Sequence, residues 1–203
     1  MRGPIKKTET GSFGIPSIRY HREEGGKIQM KTKPQNINLK YIVVSGLFAA
    51  CITMTTAYLF HIPFPGGYIH LGDVLIYMVA CLLPAPYAAA AAAIGAGLAD
   101  LLTYPAWCLP TLVIKSCLVF FFTSQASRFL CRCNYVGLVL ASVFSPAAYG
   151  LCAVVLYGSV QSFWPQFAGT AVQSLGNGVI FLIVARAVDM TRLKQRIGKH
   201  ALS

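Results

Sequence analysis

The side chains able to do chemistry are few in this chain of 203 residues, and most of them lie in apolar surroundings. Between residues 41 and 185 there are five formal charges: Asp73, Asp100, Lys115, Arg128 and Arg132. Asp73, Asp100 and Lys115 interrupt long apolar runs, where each charge costs roughly 2.5–3.5 kcal/mol on insertion scales and usually finds a partner or a wet cavity. Their spacing puts them at one level. Asp73 opens the second apolar segment, Asp100 lies about one turn from the end of the third, and Lys115 about one turn into the fourth. One ammonium therefore faces two carboxylates. Two readings stand: an Asp100–Lys115 pair holding two helices together, or a lysine that touches a ligand directly.

The remaining polar residues cluster in the same way. Gln173 and Asn177 are four apart in the last apolar segment, so their amides share a helix face and need partners, either a neighbouring helix or a small polar ligand. Tyr149, close to Pro146 in the fifth segment, could reach the same space. The connection HIPFPGGYIHLGD (61–73) combines two prolines, a Gly-Gly pair and the polar tips Tyr68, His70 and Asp73, the chemistry of a stiff lid. Two further connections, TYPAWCLPT and GSVQSFWPQ, each carry a tryptophan beside a proline, Trp107 and Trp164. These rings read either as anchors at headgroup level or as walls for stacking a flat ring.

Several chemistries are missing from the sequence. There is no GxxxxGK[ST], HExxH or GxSxG, and no carboxylate-rich cluster, so neither ATP hydrolysis nor protease or lipase chemistry has its usual machinery, and no enzymatic activity or cofactor is expected. His61 and His70 lack a third ligand for zinc, and the seven cysteines show no CxxC, so no metal is expected and the thiols read as reduced packing residues.

The elements that hold these residues follow from composition. The chain is 56% hydrophobic and 11% charged, which is not a soluble balance. Six segments predict membrane-spanning helices, at 41–60, 72–84, 87–104, 110–127, 135–157 and 167–187, the second short enough to require a tilted or partly irregular stretch beside it. The fold class is an all-α integral membrane protein of six transmembrane helices. The expected organisation is a basic, disordered tail over 1–40, a membrane domain over 41–187 and a second basic tail over 188–203. Met30 opens a compact basic lead, so residues 1–29 could be an extension ahead of it; no secretory signal is evident. Of the 17 Lys and Arg residues, nine precede residue 41 and five follow residue 185. That asymmetry predicts that both termini are cytoplasmic. It also argues against nucleic-acid binding, since the charge forms no surface interleaved with aromatics.

Small residues mark where helices approach closely. The third segment is nearly a run of alanine and glycine. In the first, Gly46 and Ala50 share one face, and Ser45 and Ala49 share another. Such faces serve internal packing or docking of a separate membrane subunit.

Four runs together resemble the substrate-binding S components of energy-coupling factor (ECF) transporters, closest to the hydroxymethylpyrimidine and vitamin-precursor branch. They are IPFPGGYIHLGD, IGAGLADLLTY, the Pro110–Lys115 opening of the fourth segment and WPQFAGTAVQSLGNG. The resemblance covers about residues 30–190. It implies a substrate-capture subunit of a vitamin importer in the bacterial cytoplasmic membrane, partnered by a transmembrane scaffold and two ATPases. A thiamine precursor such as hydroxymethylpyrimidine is favoured as ligand, with pantothenate, pyridoxine or riboflavin as alternatives. It further implies docking through an AxxxA pattern on the first helix, whose places Gly46 and Ala50 occupy, with Ser45 and Ala49 as the other register. It also implies an outer pocket, over which position places Tyr68, His70, Trp107, Lys115, Tyr149, Trp164, Gln173 and Asn177. The rival reading is a self-contained secondary carrier or a membrane-embedded enzyme, although no repeat relates the two halves.

Overall fold

The computed structural model describes residues 18–22, 28–32, 39–59, 62–64, 67–191 and 194. The chain divides into two units, Met1–Leu39 and Lys40–Ser203. In the first, strands β1 (Ile18–Arg22) and β2 (Ile28–Thr32) pair antiparallel with Tyr20 opposite Met30. The composition of 1–40 predicts no regular structure there. In the sequence, the two short runs of β-forming residues flank Gly25-Gly26.

The second unit is helical. It comprises α1 (Leu39–Ala57), a short hairpin of β3 (Ile62–Phe64) and β4 (Gly67–Ile69), then α2 (Gly72–Leu82), α3 (Ala85–Thr103), α4 (Cys108–Val119), α5 (Arg132–Tyr157) and α6 (Phe163–Met190). Single 3₁₀ turns at Pro105–Trp107 and Val160–Ser162 lead into α4 and α6. Among the described residues, α1, α3, α5 and α6 with its lead-in turn are long and apolar enough to cross a bilayer, as befits a multi-pass membrane protein. The other two predicted spans are shorter. The 11 residues of α2 rise about 16 Å, against a hydrocarbon core of about 30 Å.

Packing explains how α2 can be so short. Ile76, Tyr77, Val79 and Cys81 are wholly buried, and α3, α4 and α6 all pack against this helix. Protein rather than lipid surrounds its ends, so irregular backbone is tolerated there. The irregular stretch expected before α2 is the β3–β4 hairpin, with Ile62 opposite Ile69 and Pro63 opposite Tyr68; His61 lies outside the described residues. The fourth segment, predicted to run to residue 127, ends as a helix at Val119. Polar Thr123, Ser124 and Gln125 follow, and the backbone N–H of Thr123 donates to Asn134 Oδ1 at 2.8 Å instead of to a helical carbonyl.

Two close contacts set the bundle. A Cβ on Gly95 of α3 would come within 2.7 Å of the Ala49 carbonyl oxygen, so only glycine lets α1 lie this near. Thr53 seals the contact by donating to Gly95 O at 2.9 Å. Beneath α2, Tyr77 stacks on Phe122 at 5.0 Å, and Phe181 meets both rings edge-on. The outward faces carry Val43, Leu47, Val139, Val143, Val155, Leu175 and Ile183, as suits contact with lipid tails.

Candidate ligand-binding site

The N-terminal end of α2 carries no side-chain cap of its own. The first turn of any helix leaves backbone N–H groups without partners, and here other residues supply them. His70 Nδ1 accepts the Gly72 N–H at 3.1 Å, and Asn177 Oδ1, from α6, accepts the Val74 N–H at 3.3 Å. The Asn177 amide nitrogen donates to His70 O at 2.8 Å and to Gln173 O at 2.9 Å. Asn177 therefore fastens His70 of the first connection to α6 while capping α2.

One residue further on, Asp73 is fully buried and accepts from Lys115 Nζ at 2.6 Å; the two side chains are 0% and 1% exposed. Of the two carboxylates within the reach expected for Lys115, the bridge seen among the described residues is to Asp73, which opens α2, a helix packed against α3, α4 and α6. A buried pair survives only with further hydrogen bonds. Gln173 provides one, its amide nitrogen donating to Asp73 Oδ2 at 3.2 Å. The same nitrogen lies 3.3 Å from His70 Nε2. Because Nδ1 accepts from Gly72, the proton of the neutral imidazole sits on Nε2, so the carboxylate is the acceptor for Gln173. The Lys115 ammonium also stands 5.2 Å from the centre of the Tyr149 ring.

Above this network opens a small cleft of about 40 Å³. His70 and Gln173 form its floor side, Trp107 and Tyr149 an aromatic wall, and Asp100, Gln166 and Thr170 complete the lining. The two rings lie 5.6 Å apart, and Tyr149 is set by a 2.9 Å hydrogen bond between its hydroxyl and that of Thr111. Trp107 Nε1 and Gln166 Oε1 are buried and meet no hydrogen-bond partner among the described residues.

The structure brings together His70, Trp107, Tyr149 and Gln173 of the expected ligand contacts. It holds Lys115 and Asn177 back beneath the cleft, each 1% exposed and engaged as described. Trp164 does not reach the cleft: it is 69% exposed and packs on Phe163 and Phe167. Tyr68 is paired in β4, and its side chain lies outside the described positions. Gln166 and Thr170 were missed, though a signal existed: positions 166, 170, 173 and 177 follow helical spacing and form one polar stripe down α6. Among the described residues there is no group of three His, Cys, Asp or Glu side chains that could hold a metal ion.

The opposite end of α2 is also polar. Asn134 donates to Cys81 Sγ at 3.2 Å and to Phe129 O at 2.8 Å. Asp189, at the end of α6, accepts the backbone N–H groups of Phe129 and Leu130 at 2.8 and 2.9 Å. Lys194 stands over the Phe129 ring at 5.2 Å, its pKa held below the ordinary lysine range by burial.

Residues 36–189 match a protein family described as the ECF-type riboflavin transporter, S component. An uncharacterised protein of the gap 3' region of Pyrococcus woesei is 37% identical over 155 residues, which cover 72% of this chain and 97% of that protein.

Proposed function

We propose that this chain, which belongs to the S-component family of ECF-type transporters, captures a flat vitamin or vitamin precursor in the His70–Trp107–Tyr149–Gln173 cleft and hands it inward with the help of partner subunits. The family is one of transporters, not enzymes. The observation that carries the reading is the cleft itself: an aromatic wall facing buried amides at the meeting point of the first connection with α3–α6. Such a lining suits non-covalent capture of one small molecule. All six helices cross or fill the bilayer, with both basic tails on the cytoplasmic side of the cytoplasmic membrane.

The ligand is a heteroaromatic ring. Riboflavin is the ligand named for the matching family, and it takes the leading place. A thiamine precursor such as hydroxymethylpyrimidine is the second reading, favoured by the sequence runs quoted above and by the modest size of the cleft. Mass spectrometry of the small molecule that co-purifies with the protein decides between them.

Binding alone cannot move a solute against a gradient, because a ligand shifts only populations. A scaffold and two ATPases supply that drive. The two small-residue registers of α1 then have separate tasks. Ser45 and Ala49 are buried within the bundle, whereas Gly46 and Ala50 face outward, with open space around Gly46. The outward register is the scaffold-docking face. Replacing Gly46 and Ala50 together by tryptophan should reduce vitamin uptake by vesicles holding the full complex to background while ligand affinity stays within twofold. Equal loss of both would refute docking on this face, and uptake by vesicles holding this chain alone would favour a self-contained carrier.

A further inference from the structure

The charges around the cleft limit what can enter it. Among the described residues its lining includes Asp100 and His70 but no lysine or arginine. The ammonium behind Tyr149 is already neutralised by Asp73 at 2.6 Å. A carboxylate brought into this space would lose part of its hydration and gain no lysine or arginine of the described lining in return.

Two atoms then read the ligand's edge. An indole N–H can only donate and an amide oxygen can only accept. Trp107 is 4% and Gln166 7% exposed, both line the cleft, and the indole Nε1 and amide Oε1 have no hydrogen-bond partner among the described residues. Buried polar groups in native proteins are nearly always hydrogen-bonded, and both of these side chains belong to the lining of the cleft. We infer that Trp107 and Gln166 are specificity-determining residues, selecting an uncharged or cationic ring that offers an acceptor to the indole and a donor to the amide oxygen, and excluding carboxylate vitamins. The inference rests on the capture reading above. The imide edge of a flavin and the ring nitrogen and amine of an aminopyrimidine both meet the requirement; pantothenate does not.

The test uses the full chain in lipid nanodiscs with riboflavin, N3-methylriboflavin and pantothenate, and, should riboflavin not bind, hydroxymethylpyrimidine and its deaminated analogue. The expected result is binding of a ring ligand and none of pantothenate. Trp107→Phe, which keeps a ring and removes the N–H, and Gln166→Leu should each weaken binding about tenfold. Removing the ligand's donor should cost wild type about tenfold and the Gln166→Leu variant nothing, since the partner is already gone. Gln166→Met serves the same cycle if the leucine variant does not fold. Pantothenate binding as tight as the ring ligand, or a donor-removal cost equal in wild type and variant, overturns the inference while leaving capture intact. Failure of every one of these compounds to bind wild type overturns the capture reading and the inference with it.

Discussion

At its N-terminal end α2 meets His70, Asp73, Lys115, Gln173 and Asn177; at its C-terminal end Cys81 meets Asn134, with Asp189 close by in the same corner of the fold. Both ends are buried and polar, yet they are completed differently. At the C-terminal end the amide of Asn134 and the carboxylate of Asp189 are spent on the backbone of 123–130, a stretch without helix that needs fixed partners. At the N-terminal end the network below the cleft is equally engaged, but Trp107 and Gln166 of the cleft lining keep an indole N–H and an amide oxygen that meet no partner among the described residues. Polar residues whose hydrogen bonds close on the chain itself hold structure, whereas under the proposed function those lining the cleft are the ones a ligand would meet.

That contrast can be broken by mutation. The largest effect belongs to the ion pair. Lys115→Met leaves Asp73 as an unpaired buried charge and should cost about 3–5 kcal/mol, read as a collapse of the thermal transition in detergent. The double variant Asp73→Asn/Lys115→Met should recover much of that loss. A double variant no better than the single would show that the pair is not the unit of stability.

Next come the closed residues at the other end. Asp189→Ala strands two backbone N–H groups and Asn134→Ala unties Thr123 and Phe129, so each should lower stability by about 1–3 kcal/mol. Ligand affinity measured by titration at a temperature where the variant is folded should stay within twofold. A tenfold fall in affinity would erase the distinction between the two ends.

The smallest change is expected at Trp164. Its ring is largely exposed and lies away from the cleft, so Trp164→Ala should alter affinity by less than twofold. A loss matching that of Trp107→Phe would mean that the ring turns inward when ligand arrives.

Much of this molecule was legible before any coordinates. The apolar segments were found because lipid allows only long runs without charge, and the six helices fall where those runs are. Asp73 and Lys115 stood out because a charge in such a run is costly, and Gln173 with Asn177 because their spacing shares a face. Asn134 and Asp189 passed unnoticed: each looks like an ordinary polar residue near a helix end, and their partners are backbone groups that sequence does not display.

The linear order of residues determined, by hydropathy and spacing, which segments are helices, which side chains must be paired in the membrane and which small residues permit close contact. It could not determine which carboxylate takes Lys115, which face of α1 turns inward, or that Trp107 reaches the cleft and Trp164 does not. Those outcomes depend on the rotation of each helix about its own axis and on which helix is central. Packing of the whole bundle, with α2 inside it, decides both.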